Sequence, residues 1–526
     1  MKIENFGEWK PIINKIRSVA IKNGLNAYIV GGFVRDLILG WRSPKDLDIM
    51  VDGEGAGMRL AQLLHETYGG HEPILFPRFG TAKLTMNGKD VEFVAPRKEV
   101  YEKDNRKPTV ERGSLYDDAI RRDFSVNALF IDLNNYEVMD LTGNGLKDLQ
   151  NRTLRVADPE NPDIIMQNDP LRMLRLIRQS SQLGFDIDPK TYESAKRNAS
   201  KLQTISKERI QDEFNKILMT DKPSWALKLL KDSGLLKEIS PYLDNLQNVE
   251  EEASKESKDV WGHTLQVVDN SPKILELRLA ALFHDISKPE TKSKTFQVEC
   301  DKCKEKFEFD YRGESEAIKL TCPVCNYEQY FKDETELKRR HPEYAVHFLQ
   351  HERIGASTVK KILRDLRYPE DVTNKVSKLV EFHMRPHFYD PETWTDSSVR
   401  RLQREYGDDI NELIDLVQSD ITTKYPEKRK RELEKLKHLR ERTKQLEEQM
   451  SSAKIESPLD GIEIMKMYPD KKPGPWISKI KNFLLNEVIE GRMAQEDKEG
   501  AKRLLEKTDI NTIKEASIKI SFREIG

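Results

Sequence analysis

Apolar positions recur at helical spacing over residues 11–24, and the run closes at Gly24. The pattern then changes. AYIVGGFVRDLILG (27–40) reads as a short apolar strand, a glycine pair and the start of a helix. Strand-like runs follow at DLDIMV (46–51), AKLTM (82–86), DVEFV (90–94) and ALFIDL (128–133), with helical patterns between them. This alternation predicts an α/β domain over residues 1–150. From 168 to about 250 strand signals vanish and helical periodicity takes over, with stops at Gly184, Gly234 and Pro241, so 151–250 is expected to be all-helical. EEASKESKD (251–259) reads as a linker. Helical text resumes at 260, is interrupted by a strand- and cysteine-bearing segment, and continues to about 420. It defines a third domain over 251–425 with an insertion at about 296–345. Residues 427–450 mix Lys/Arg with Glu at helical spacing, a solvated helix, and open a helical C-terminal region over 426–526. There is no internal repeat.

Composition narrows the class. A chain of 526 residues exceeds one ordinary domain and suggests roughly three or four. Charged residues reach 34%, against roughly 25% in an average globular protein, so much of the chain is solvated helix face. The 88 Lys+Arg nearly balance 90 Asp+Glu, which excludes a uniformly basic coat. Nucleic-acid contact must then come from local patches. No apolar run approaches the roughly 18 residues of a membrane-spanning helix, and MKIENFGEWK lacks the pattern of a signal peptide. The expectation is a soluble, cytoplasmic protein with no membrane partner.

Chemistry enters at two glycines and two carboxylates. Gly31-Gly32 between a strand and a helix lets backbone N–H groups approach a phosphate, although a glycine pair alone more often marks an ordinary turn. Asp46-Leu47-Asp48 places two carboxylates on one face of a strand, where they repel unless a cation relieves them. Oxygen ligands suit Mg²⁺, and Glu92 on DVEFV is a candidate third carboxylate. Alternatively Asp46 or Asp48 caps a turn or pairs with Lys45 or Arg42.

GGFVRD (31–36), DLD (46–48), RFGTAKL (78–84) and RRDFSVNAL (121–129) resemble the head of the bacterial-type tRNA nucleotidyltransferases and poly(A) polymerases. These CCA-adding and related enzymes belong to the polymerase-beta-like nucleotidyltransferase superfamily. DLTGNGLKDLQNRTLR (140–155), NDPLRMLRLIRQSSQLGF (168–185) and ISKERIQDEF (205–214) extend the resemblance in order. It implies attack by an RNA 3′-hydroxyl on the α-phosphate of CTP or ATP, with Asp46 and Asp48 holding two Mg²⁺ ions. Gly31, Gly32 and Arg35 would bind triphosphate, and Arg122 and Asp123 the nucleotide and its ribose. Arg121, Arg122 and Asp123 could instead form a surface ion-pair cluster. Asp169 and Arg172, three residues apart at a helix start, would read the amino group and ring nitrogen shared by cytosine and adenine; the alternative is that Asp169 is an N-cap before Pro170. Arg175 and Arg178 match further nucleotide-binding arginines. Asn168 stands where the family usually has Glu, which predicts looser base selection. YEKDNRKPTVERGSLYDD (101–118) reads as a polar flexible loop, and in the family such a loop takes part in the switch from cytidine to adenosine addition. The segment is not truncated, which favours full CCA addition over CC-only addition, and together with RFGTAKL it resembles CCA-adding enzymes more than poly(A) polymerases.

The middle of the chain carries His263, His284-Asp285, His351, His383 and Asp420. This order resembles HD-domain phosphohydrolases and implies a site for Mn²⁺, Ni²⁺ or Co²⁺. A satisfied His–Asp hydrogen bond within an idle helical scaffold is the alternative. Ser287 departs from the family's usual Gly, and His341, His347 and His387 have no place in the pattern. Cys300-x2-Cys303-x18-Cys322-x2-Cys325 fits a structural zinc ribbon, since four thiols so spaced in a reducing compartment favour Zn²⁺ over disulfides. Residues 458–493 resemble the C-terminal region of the same transferases, where Lys471, Lys472, Lys479 and Lys481 would touch tRNA phosphates or remain solvated surface lysines.

The whole is expected to be a multidomain α+β chain: a polymerase-beta-like nucleotidyltransferase α/β head, an all-α neck, an HD-type helical body with an inserted zinc ribbon, and a helical tail. Its expected partner is tRNA. The competing readings are an HD metallophosphohydrolase that uses the head to bind nucleotide, and an RNA-binding scaffold with both sites idle.

Overall fold

Strand β1 (Ala27–Val30) is apolar, and so is β2 (Leu47–Val51) except at Asp48; both run through the middle of a sheet. They belong to a computed structural model that describes all residues except 41–45, 101–108, 248, 250–258, 314–316, 408, 453–455, 490 and 510–526. The chain forms two compact units, Met1–Asp244 and Asn245–Gly526. In the first, β3 (Ile74–Phe76), β4 (Thr81–Met86), β5 (Lys89–Val94), β8 (Leu129–Asp132) and β9 (Val138–Asp140) complete a seven-stranded mixed sheet in the order β3-β4-β5-β2-β1-β8-β9. Among the described strands of this sheet only β2 and β5 pair in parallel, and the helix Ala56–Tyr68 lies in the connection between them. That agrees with the rule that parallel neighbours need a crossover. Helix Lys10–Lys22 starts with proline in its first turn, buries Ile12, Ile13, Ile16, Val19 and Ala20, and stops before Gly24, whose φ of +64° a side chain would resist.

Three expectations change here. Asp46 precedes β2 by one residue and is exposed, so the strand begins at Leu47. The segment expected as a loop over 101–118 carries regular structure in its described residues: β7 (Thr109–Arg112) pairs with β6 (Arg97–Val100), and Leu115–Ile120 is a helix. Its N-terminus is fixed by a capping box in which the Asp117 N–H donates to Ser114 Oγ at 3.1 Å and the Ser114 N–H donates to Asp117 Oδ2 at 2.8 Å. Residues 101–108 lie outside the described residues. Strand structure also persists past 168, since β11 (Asp186–Ile187) pairs in parallel with β10 (Thr153–Leu154).

Beyond the sheet the first unit is helical, with Leu171–Leu183 and Lys207–Leu218 packed together. In the second unit, helices Val260–Asn270, Leu275–Phe283, Glu370–Phe382 and Ile410–Asp420 pack on one another. A ribbon interrupts them: β12 (Lys292–Glu299) is the centre of a three-stranded sheet with β13 (Lys306–Tyr311) and β16 (Tyr344–Phe348), while β14 (Ile318–Thr321) and β15 (Glu328–Phe331) form a separate hairpin. Phe296, Val298, Tyr311, Ile318, Leu320, Phe331 and Leu337 close a small core between them. Helix Pro426–Ser452 packs on Asp396–Tyr406 and Ile410–Asp420. A separate C-terminal core is made by Leu459, Ile464, Ile480, Leu484, Ala501 and Leu505.

Candidate active site and metal centres

Register brings the head carboxylates together. Asp48 lies opposite Val30 on one side and Glu92 on the other, and Asp46 stands at the mouth of the strand. Asp46 and Asp48 line a cleft of about 650 Å³ with Gly31, Gly32, Arg35, Arg122, Asp123, Arg175 and Arg178. Glu92 faces an adjoining cavity of about 350 Å³ that also contains Asp48, Asp169 and Arg172. Burial, then the Glu92 carboxylate, push the Asp48 pKa up to about 6, with Arg122 opposing and Asp46 adding to the rise. Such under-neutralised oxygen ligands fit a hard divalent cation of the Mg²⁺ type. Gly31 is required by two facts: its φ is +80°, and a Cβ there would come 3.3 Å from Arg122 Nη1 and 3.6 Å from Asp48 Oδ2.

The basic side of the cleft is held in place by hydrogen bonds. Arg35 Nη1 donates to Asn127 Oδ1 at 2.7 Å and to Gln179 Oε1 at 3.2 Å. Arg175 donates twice to Asp123 Oδ2, at 2.9 and 2.6 Å, and Asn127 Nδ2 donates to Asp123 Oδ1 at 2.9 Å. Burial alone would raise the Asp123 pKa, but Arg175 and Asn127 hold it at about 2. Arg178 Nε donates to the buried Glu213 at 2.6 Å. Arg121 and Arg122 both pair with the buried Asp118, whereas Asp123 pairs with Arg175, so the Arg-Arg-Asp run is not one surface cluster. Asn127 and Gln179 were not singled out from sequence, although both stand inside matched motifs.

The pair expected to read the base is engaged with protein. Asp169 accepts from Arg209 at 3.0 Å and from the Leu171 N–H at 3.3 Å, but the N-cap of the helix Leu171–Leu183 is Pro170, so Asp169 stands one residue before the cap rather than being the cap itself. Arg172 is buried, with Nη1 donating to the Ile165 carbonyl at 3.0 Å and Nη2 to the Arg121 carbonyl at 2.7 Å. Base reading through Asp169 therefore requires it to leave Arg209.

In the second unit all six HD-type residues converge, in two groups: His263, His284 and Asp420, and Asp285, His351 and His383. His284, His351 and His383 donate from Nδ1 to the carbonyls of Ala281, Phe348 and Val380 at 2.9, 2.8 and 2.7 Å. Nε2 atoms then face inward: His263 and His284 at 3.1 Å, and His351 and His383 at 3.4 Å. Bare lone pairs this close need a proton or a cation between them. Burial depresses the His383 pKa to about 3, while at His284 burial is outweighed by Asp285 and Asp420, which raise it well above its ordinary value. The donor set, with three rings oriented by backbone carbonyls and His263 by the Thr422 hydroxyl at 2.9 Å, fits transition metals. His387, given no role from sequence, has Nε2 2.8 Å from Asp420 Oδ2. His341 and His347 lie in the ribbon region instead, His341 buried against Phe331 and His347 on β16.

The four cysteines also meet. Cys300 and Cys325, and Cys303 and Cys322, have Sγ atoms 3.6 Å apart. That is far beyond a disulfide and close to the edge of about 3.8 Å expected for a ZnS₄ tetrahedron with Zn–S near 2.3 Å. The knuckles repeat one pattern: the Cys300 and Cys322 carbonyls accept from the N–H groups of Lys304 and Asn326 at 3.0 Å, and both of these residues have positive φ. Burial raises the Cys300 thiol pKa, but the N–H groups of Cys303 and Lys302 outweigh it and bring it to about 6. In the tail, Lys471, Lys472 and Lys481 are exposed and Lys479 is half-buried.

A carboxylate pair beside a glycine turn and an arginine-lined cleft on a mixed sheet defines a nucleotidyltransferase head. Family models match it: a poly(A) polymerase head domain over residues 27–155 and a probable RNA- and SrmB-binding site of polymerase A over 184–247. Over these two stretches the chain is similar to the class II CCA-adding and poly(A) polymerase family. The CC-adding tRNA nucleotidyltransferase of Thermus thermophilus is 28% identical over 488 residues, 90% of this chain and 92% of that protein. The A-adding tRNA nucleotidyltransferase of Aquifex aeolicus is 36% identical over 221 residues, 41% of this chain, and the match spans only 26% of that protein. For the mitochondrial CCA tRNA nucleotidyltransferase of Saccharomyces cerevisiae the identity is 35% over 229 residues, 40% of this chain and 41% of that protein. In fold, the chain is similar to the Bacillus stearothermophilus CCA-adding enzyme solved with CTP, with a TM-score of 0.58 at 20% identity over 96% of this chain and 98% of that one. No described helix is long and apolar enough to cross a membrane.

Proposed function

We infer that this protein is a tRNA nucleotidyltransferase that adds C, C and A to tRNA 3′ ends from CTP and ATP. The observation that carries the reading is the cleft in which Asp46 and Asp48 face Gly31-Gly32 and the arginines 35, 122, 175 and 178. Mg²⁺ held by Asp46 and Asp48, with Glu92 beside them, would supply hydroxyl activation and charge neutralisation at the pyrophosphate. Gly31-Gly32 admits the triphosphate close to backbone, and Arg35, Arg122 and Arg178 bind its charge. Asp123, kept ionised by Arg175, accepts from the ribose 2′-hydroxyl and so favours ribonucleotides. Asp169, released from Arg209, and Arg172 select cytosine and adenine over guanine and uracil. In this assignment residues 1–150 are the catalytic head, 151–250 the neck, 251–425 the HD body, and 426–526 the tRNA-gripping tail with Lys471, Lys472, Lys479 and Lys481 on phosphates. The His/Asp centre adds a Mn²⁺-, Ni²⁺- or Co²⁺-dependent phosphohydrolase activity, supported by the inward Nε2 atoms. The four cysteines hold a structural Zn²⁺.

A second reading, CC addition alone, is favoured by the CC-adding relative that matches over 90% of the chain. Purified protein is incubated with each labelled nucleoside triphosphate and tRNA ending before CCA, after C, after CC or after CCA. Full CCA addition predicts CMP incorporation on the first two and AMP on the third. Absence of AMP on tRNA ending in CC, with CMP addition intact, selects the second reading.

A further inference from the structure

The ribbon is spliced between two ligands of the same half of the His/Asp centre. Asp285 precedes it, His351 follows it, and its two ends close on each other, since Lys292 at the start of β12 pairs with Phe348 at the end of β16. Phe348 is tied to one ligand directly and to the other through Lys288. Its carbonyl accepts the Nδ1–H of His351 at 2.8 Å, which fixes the tautomer that turns Nε2 inward. Its ring lies 5.2 Å beneath the Lys288 ammonium, and that ammonium is 2.8 Å from Asp285 Oδ2. Among the described residues, the other half of the centre has no such tie. His263, His284 and Asp420 draw their partners from Ala281, Asp285, His387 and Thr422 and from one another.

At its far end the ribbon depends on its cysteines. Its core has seven buried side chains, a small number for an element of two hairpins, and small scaffolds of this kind rely on a metal. β12 carries the consequence along its length: Glu299 abuts Cys300 at one end, while Lys292 holds Phe348 at the other.

We propose that the metal bound by the four cysteines sets one metal position of the His/Asp centre, that of Asp285, His351 and His383, by holding the β12–β16 sheet that presents Phe348 to His351. The ribbon metal is thus a positioning element for a second metal, 51 positions along the chain from Cys300 to His351. The proposal rests on the reading of the His/Asp residues as a metal centre, and its test separates the two.

The full chain is loaded with Co²⁺, whose thiolate-bound form absorbs differently from its imidazole- and carboxylate-bound form, and metal per chain is counted. The wild type is expected to show one thiolate-bound ion and two others. C303S/C325S, which alters the two less buried cysteines, is expected to lose the thiolate signal and one of the two other ions, and nucleotide incorporation by the head serves as the folding control. V346P, which breaks β12–β16 pairing and leaves both knuckles, is expected to keep the thiolate-bound ion and lose that same other ion. H284A/D285A is expected to lose both other ions and keep the thiolate-bound one. A wild type with only the thiolate-bound ion removes the His/Asp reading. Retention of both other ions by C303S/C325S or V346P overturns the coupling alone, as does loss of the thiolate-bound ion in H284A/D285A.

Discussion

Asp48 pays for its position: it is a carboxylate pressed against Glu92 and Asp46, with its pKa near 6, so without a cation the folded head is less stable at neutral pH than it would be with an ordinary aspartate. Asp48→Asn is expected to raise the stability of the metal-free protein by roughly 1–3 kcal/mol while abolishing nucleotide transfer. Thermal unfolding in chelator, paired with an incorporation assay, checks both halves. Because the cation must displace a proton from Asp48, Mg²⁺ affinity should weaken as pH falls through 6, measurable by titration between pH 5 and 8. Asp123 has the opposite sign. Its pKa near 2 lies below the ordinary 3.8, so its stabilisation is present above pH 4 and is lost as pH falls toward 2. Asp123→Asn should remove about 2 kcal/mol at neutral pH and flatten the acid limb of the unfolding curve. The carboxylates, glycines and arginines that meet in the cleft could be picked out from residue type and order alone. Asn127, Gln179, Glu213 and His387 could not, because an amide, a carboxylate or an imidazole that only orients a neighbour leaves no spacing of its own.

At the scale of elements, alternation and glycine placement located β1, β2, β4, β5 and β8 within a residue or two. The misses have a common cause. β6, β7, β9 and β3 are three or four residues long and carry charged or exposed side chains, so no apolar alternation marks them. The segment after residue 108 looked like a loop because a strand of TVER and a helix of LYDDAI are polar, and pairing and a capping box order them instead. Gly31→Ala tests the glycine turn: with φ at +80° and Arg122 in the way, it should cut nucleotide incorporation at least tenfold with little change in fold. Circular dichroism and steady-state incorporation separate those outcomes.

At the scale of the molecule, the head and the His/Asp centre belong to different compact units, Met1–Asp244 and Asn245–Gly526, which makes their chemistry separable. The switch between strand and helix periodicity marks where the sheet of the first unit gives way to helices, and the four cysteines meet as their spacing suggests. The helix Pro426–Ser452 packs on Asp396–Tyr406 and Ile410–Asp420, a relation that a run of alternating charges does not reveal. The measurement that bears most directly on the account compares D46A/D48A with H284A/D285A for CMP and AMP incorporation into tRNA lacking its 3′ end. The head variant is expected to lose incorporation by at least a thousandfold and the other to keep it. Incorporation that survives in D46A/D48A would contradict the assignment of polymerising chemistry to the head.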